Sequence, residues 1–298
     1  MKKKPWRLKI SVTDRCNFKC VYCKYLFKVN ASPIDHDIKF EQSEEDIIKT
    51  LEAASKTGIT KVHWTGGEPT LFDLPHYFEI AKNMGFKEQG ITTNGYRLHK
   101  DLDSLIENGL TSANISLDTL NPNKFRKLTK SNHHGDVIKS IKECCARQIK
   151  TKMNVVVMKP NYEELPEIVE FASKQNGFLT LKFLELWEFS PIEKYKELHV
   201  PAHELIDLAK NVGDFYPIDE TTSNPNISYY IYPEFNVKFG VVNLPPSEWR
   251  CGGPRCTKLR VYSDGTTCEG RFINNKAVED RGVLIKDIML TRANGEYV

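Results

Sequence analysis

The sequence predicts an α/β fold: a partial (βα)6 TIM barrel over residues 4–187, followed by a C-terminal domain over residues 188–298. Three observations predict it. Between residues 8 and 187, short apolar runs take turns with amphipathic helical stretches six times, and such alternation implies right-handed crossovers and a parallel sheet. The segments richest in Gly, Asn and Cys fall just past the strand ends, on the rim where α/β sheets place their function. After Trp187 the alternation stops.

The first strand is 8–12, and the first helix, 43–56, opens at the cap-like Ser43, spaces Ile47, Ile48, Leu51 and Ala54 along one face, and closes at Gly58. The cycle repeats with strand 61–64 and helix 74–84, strand 89–93 and helix 100–108, strand 112–117 and helix 135–148. Strand 151–158, helix 163–174 and strand 179–184 complete it. Six units are too few for an eight-stranded barrel, so the open side needs a cover. Beyond 187, the segment to 225 reads as helices with turns and 227–242 as strands. From Cys251 a compact unit follows, in which 258–263 and 266–271 flank Asp264-Gly265, a hairpin turn signal.

The chain has 298 residues, 40% of them hydrophobic, and a net charge of +3 from 42 Lys+Arg against 39 Asp+Glu. That balance provides no field calling for nucleic acid or an acidic membrane. The basic start, MKKKPW, runs into an amphipathic strand rather than an apolar signal region, and no uninterrupted apolar run has membrane length; the expectation is a cytoplasmic protein. Eight cysteines in such a chain point to metal or redox work rather than a disulfide framework. Six fall into two sets of three, while Cys144 and Cys145 sit in helix 135–148 as core or boundary thiols.

The first set lies in SVTDRCNFKCVYC, residues 11–23, just past the first strand. Cys16, Cys20 and Cys23, spaced CxxxCxxC, can hold three irons of a four-iron, four-sulfur cube and leave one corner open. An open iron can take a small chelating ligand and pass it an electron. A zinc knuckle, a disulfide and reduced structural thiols are the rival readings of the spacing alone. After the second strand, Gly66, Gly67, Glu68 and Pro69 form a turn whose glycines allow backbone amides to approach a ligand while Glu68 supplies a carboxylate. Thr93, Asn94 and Ser116 end the third and fourth strands.

The cysteine loop and the GGEP turn together resemble the radical S-adenosylmethionine (radical SAM) superfamily. There the methionyl amine and carboxylate of S-adenosyl-L-methionine chelate the open iron, and the reduced cluster cleaves the sulfonium to a 5'-deoxyadenosyl radical. The resemblance implies that Gly66, Gly67 and Glu68 hold the methionyl amine and that Thr93, Asn94 and Ser116 contact ribose and carboxylate. Tyr22, between the last two cysteines, is either an adenine-packing ring or a core aromatic. More narrowly, LKISVTDRCNFKCVYC, TGGEPTL, TTNGYRL, NISLDTLNPNKFRKLT, KMNVVVMKPN, LKFLEL and KLRVYSDG run in the order and spacing of the GTP 3',8-cyclases that begin molybdenum cofactor synthesis.

That narrower resemblance implies a C-terminal iron-sulfur (twitch/SPASM-like) domain in which Cys251, Cys256 and Cys268 hold a second 4Fe-4S cluster, with a zinc site as the rival. It also implies an electron donor such as flavodoxin or ferredoxin. Departures concentrate in the substrate half. The second set reads CxxxxC followed by a shortened hairpin, and the family's triphosphate-binding arginines are matched by Lys9, His63 and Lys258, while Lys152 and Arg260 are as expected. Lysine and histidine do not reproduce a bidentate guanidinium clamp. The expected function is therefore that of a GTP 3',8-cyclase, or of a cyclase-like relative acting on another nucleotide, a sugar or a peptide.

Overall fold

A computed structural model describes residues 6–23, 40–186, 188, 192–219, 227–242, 256–267, 271, 273–274 and 276–293. Cys251 and Cys268 lie outside them. The six expected strands are β1 (Arg7–Ser11), β2 (Lys61–Thr65), β3 (Glu88–Thr93), β4 (Leu110–Ser116), β5 (Lys150–Val157) and β6 (Leu179–Glu185). They lie side by side in sequence order, all parallel. The helices between them are α1 (Glu44–Lys56), α2 (Leu74–Asn83), α3 (Leu98–Glu107), α4 (Pro122–Thr129), α5 (His134–Ala146) and α6 (Leu165–Ser173). α1 starts where the sequence indicates, with the Ser43 hydroxyl accepting from the Asp46 amide at 3.1 Å. α4 was not expected. Asn121 caps it by accepting from the amides of Asn123 and Lys124, and Pro122 opens its first turn.

Strand alternation sorts the sheet into two faces of opposite character. Leu8, Ile10, Val62, Trp64, Ile91, Ile115, Met153, Val155, Leu181 and Phe183 are buried against the helices in one continuous core. The intervening positions, Lys9, His63, Thr92, Asn114, Lys152 and Lys182, form the opposite, polar face. In a parallel sheet covered on both sides the second face would also be apolar, so this pattern marks a working interior.

The C-terminal segment continues the same sheet. α7 (Ile192–Leu198) and α8 (Ala202–Lys210) lead to β7 (Tyr216–Ile218), β8 (Ile227–Tyr232) and β9 (Val237–Val242). β9 pairs parallel with β6, and β8 and β7 extend that edge antiparallel. β10 (Lys258–Val261) returns to the far edge and pairs parallel with β1, giving the order β10-β1-β2-β3-β4-β5-β6-β9-β8-β7. The expected turn after it is present: the Gly265 amide donates to the Tyr262 carbonyl at 3.0 Å, and Gly265 has the φ of +81° that such a turn requires. α9 (Val278–Ala293), a helix absent from the expectations, packs on α1. Its buried Arg281 donates to the Asp46 carbonyl and carboxylate, to the Thr50 hydroxyl and to the Lys276 carbonyl.

Candidate active site

The loop after β1 is held from both sides through its backbone. On one side the amides of Gly67 and Glu68 donate to the carbonyls of Thr13 (2.6 Å) and Arg15 (2.8 Å). On the other, the amides of Lys19 and Val21 donate to the carbonyls of Thr129 and Leu128 at the end of α4, both at 2.9 Å, and Phe18 sets its ring edge-on to Phe125. A Cβ at Gly67 would fall 2.2 Å from the Arg15 carbonyl, and one at Gly66 would fall 2.5 Å from that of Thr13. The glycines thus admit the cysteine loop itself. The amides of Gly67 and Glu68, expected to face a ligand, are taken up by that loop.

Glu68 joins the second rim turn to the third. Fully buried, its carboxylate accepts from the Thr70 amide (3.0 Å) and hydroxyl (2.6 Å), the Thr93 hydroxyl (2.5 Å) and the Asn94 amide (2.6 Å). Burial pushes its pKa up, and these donors pull against that rise. Asn94 in turn donates to the Asn17 side chain at 2.8 Å and lies 3.8 Å from Cys16 Sγ. Ser116 ends β4 in register with Asn154 of β5. Tyr22 packs in a small apolar cluster with Leu128, Met158 and Leu186, and its hydroxyl donates to Asp118, so the ring is fixed by the protein.

Cys16, Cys20 and Cys23 are half-buried. Burial pushes the Cys16 thiol up to about 11 and the Cys20 thiol further, with contributions from neighbouring sulfurs and carboxylates. Buried thiols of high pKa are unfavourable anions until a cation arrives to take them. Among the described residues, no three His, Cys, Asp or Glu side chains converge as a single metal ion requires. A four-iron cube binds each thiolate through a different iron, so three sulfurs spread around one loop fit the cube better than a lone zinc ion.

Below this rim, the polar face gathers positive charge. Arg260, Lys9 and His63 are neighbours in register across β10, β1 and β2, and Arg7 pairs with Lys258. Burial lowers the pKa of His63 well below its ordinary value, and the charges of Lys9, Arg7, Lys182 and Lys258 lower it further. It is a neutral imidazole, with Nε2 2.7 Å from the Thr92 hydroxyl. Lys152 lies over the Tyr229 ring, and Arg260 over that of Tyr262. The structure thus assembles the predicted Lys9, His63 and Lys258 on one face and adds Arg7 and Lys182. Lys182 was legible as the polar position in LKFLEL, alternating with Leu181 and Phe183.

Comparison with known proteins agrees with this geometry. The model of the radical SAM superfamily matches residues 10–172. A GTP 3',8-cyclase of Thermodesulfovibrio yellowstonii is 32% identical over 98% of this chain and 87% of its own length, and one of Limosilactobacillus fermentum is 31% identical over 87% and 76%. The chain belongs to the radical SAM superfamily, in the family of the GTP 3',8-cyclases. The molybdenum cofactor biosynthesis protein moc-5 of Caenorhabditis elegans is 33% identical over 87% of this chain, which spans 42% of that longer protein. Among solved structures, Streptococcus suis SuiB bound to precursor peptide SuiA matches with a TM-score of 0.63 at 22% identity, over 89% of this chain and 59% of SuiB. A histidine-tagged anSMEcpe with bound AdoMet matches with a TM-score of 0.63 at 15% identity, over 96% and 77%. At these identities the likeness is one of fold.

For this radical SAM enzyme, the second cysteine set is described only at Cys256. It is half-buried two residues before β10, and Thr257 beside it accepts from the Arg7 amide at 2.9 Å. Because β10 and β1 run parallel, Cys256 lies toward the start of β1 while Cys16 follows its end. The lysines and arginines of the polar face lie between the two levels. Asp118, to which the sequence assigned no role, follows the end of β4 and accepts from the hydroxyl of Tyr22, the residue between Cys20 and Cys23.

Proposed function

We propose that the enzyme reductively cleaves S-adenosyl-L-methionine at a 4Fe-4S cluster held by Cys16, Cys20 and Cys23, and that the radical abstracts hydrogen from a phosphorylated small molecule lying on the basic face. GTP, converted to its 3',8-cyclised form, is the first candidate. The observation that carries the reading is the joining of the three-cysteine loop to the GGEP and TTNG turns through Glu68 and Asn94, directly above a face of lysines and arginines. Bound at those sulfurs, a cluster supplies one electron to the sulfonium, whose C5'–S bond breaks to give methionine and the 5'-deoxyadenosyl radical.

The chain's own residues do the rest. Glu68 fixes the turn against which the methionyl group lies, Asn94 and Ser116 offer polar contacts to ribose and carboxylate, and Tyr22 holds the turn between Cys20 and Cys23 against Asp118. Lys9, Lys152, Lys182, Lys258 and Arg260 neutralise phosphate oxygens, and His63 adds a hydrogen-bonding group among them. His63 is buried on the polar face, so a substrate seated beside it leaves water as it binds, which protects a radical from quenching. The reading also includes a partial barrel to residue 187, a C-terminal iron-sulfur domain over 188–298 with a second 4Fe-4S cluster on Cys251, Cys256 and Cys268, and a flavodoxin or ferredoxin as donor.

A specific observation favours a second reading. Lys9, His63 and Lys258 are point donors where the cyclase resemblance implies guanidinium forks, and a face built for single contacts suits a different anion, such as another nucleotide, a sugar phosphate or an acidic peptide. The test is incubation of reconstituted, dithionite-reduced enzyme with S-adenosyl-L-methionine and GTP. GTP-dependent 5'-deoxyadenosine together with the 3',8-cyclised product supports the first reading; 5'-deoxyadenosine formed at the same rate without GTP, and no cyclised product, supports the second.

A further inference from the structure

We propose that Asp118 is a positioning residue for the iron-sulfur loop: it clamps Tyr22 between Cys20 and Cys23, and its unneutralised carboxylate lowers the reduction potential of the centre those cysteines bind. The inference rests on the cluster reading above. Asp118 follows the end of β4 and is 4% exposed. One carboxylate oxygen accepts from the Tyr22 hydroxyl and the other from the Val156 amide of β5 at 2.8 Å. Its carbonyl accepts from the buried Asn161 side chain at 2.6 Å. Asn161 also donates to the Val156 carbonyl at 2.9 Å and accepts from the Met158 amide at 2.7 Å. The carboxylate is therefore bolted to β5, and Tyr22, with the Cys20–Cys23 turn, is bolted to the carboxylate.

The clamp alone does not require a charge. An asparagine could accept from Val156 through its oxygen and donate to the Tyr22 hydroxyl oxygen, with no ion to desolvate. Buried carboxylates are ordinarily matched by a cation, yet among the described residues no Lys, Arg or His forms an ion pair with Asp118. Through its hydrogen bond with the Tyr22 hydroxyl the carboxylate stands against the turn between Cys20 and Cys23 instead; burial raises its pKa to about 6, so above about pH 7 it is the anion. A fixed negative charge beside a centre that gains an electron opposes the gain, so the reduced centre becomes the stronger reductant that sulfonium cleavage needs.

The experiment is an EPR-monitored redox titration of anaerobically reconstituted full-length chain without S-adenosyl-L-methionine, comparing wild type with Asp118→Asn, Asp118→Ser and Tyr22→Phe. Asp118→Asn and Asp118→Ser should bind as much iron as wild type and be reduced more easily, by about tenfold in the reduced-to-oxidised ratio at a fixed potential. Tyr22→Phe, which keeps the charge, should stay within about twofold of wild type while releasing iron to a chelator faster. An unchanged or lower midpoint in Asp118→Asn overturns the proposal. So does loss of iron from both Asp118 variants at unchanged melting temperature, which would make the residue one of assembly only. A wild-type chain that binds no iron would instead fall on the cluster reading itself.

Discussion

Two residues carry the site's local physics. Glu68 accepts four hydrogen bonds with no solvent contact, so Glu68→Gln turns one acceptor into a donor facing another donor. The expected cost is about 1–3 kcal/mol in urea unfolding, with weaker binding of S-adenosyl-L-methionine by calorimetry. His63 acts in the opposite sense, as a base kept from its proton. Below about pH 6.5 the unfolded imidazole takes up a proton that the buried one refuses, so folding stability falls there by about 1.4 kcal/mol per pH unit. His63→Gln should flatten that acid limb in urea titrations between pH 5 and 7; an identical slope would show that the imidazole is not held neutral. A phosphate bound among Lys9, Lys182 and Lys258 would relieve the same repulsion, so anion binding should draw protons onto His63 and tighten as pH falls.

At the scale of elements, the decisive contact is the seam between the GGEP turn and the cysteine loop. Gly67→Ala places a methyl group 2.2 Å from the Arg15 carbonyl, and the two segments must part. The variant should remain folded and lose iron after reconstitution, measured as iron per chain; wild-type iron content would show that the seam does not shape the cluster loop. The seam between α1 and α9 is independent of the chemistry. Arg281→Met leaves the Asp46 carboxylate without its buried cation and should destabilise the chain by about 3–5 kcal/mol, measured by urea unfolding. These elements differ in how legible they are. β1 to β6 could be read because each needs an apolar face toward the helices, and the strict alternation of Leu181, Lys182 and Phe183 shows which face is which. α4 was hidden because all but two of its eight residues are polar or Pro, and α9 because its apolar residues do not form one stripe. Only tertiary packing, through Phe125 and Arg281, makes their roles apparent.

Over the whole molecule, the sequence pattern suggested a break at residue 187, while the hydrogen bonding runs across it. β9 continues from β6 and β10 from β1, so both edges of the six-stranded run are covered by later chain. A fragment ending at residue 187 should expose both edges and aggregate rather than melt cooperatively, as light scattering and calorimetry would show; a monomeric, cooperative fragment would establish an autonomous first domain. The cofactor half of the site was legible because cysteine spacing and GGEP are local patterns. The clamp on Tyr22 was not, because Asp118 and Tyr22 are 96 positions apart and meet only through the sheet. The substrate half was partly legible, since charges scattered over β1, β2, β6 and β10 become one surface only when the strands align.

The most direct test is the formation of 5'-deoxyadenosine from S-adenosyl-L-methionine by anaerobically reconstituted, dithionite-reduced enzyme. Wild type should produce it, and the variant combining Cys16→Ala, Cys20→Ala and Cys23→Ala should produce none. Equal formation by the two proteins, or none from an iron-loaded wild type, would contradict the assignment of the chemistry to these three sulfurs.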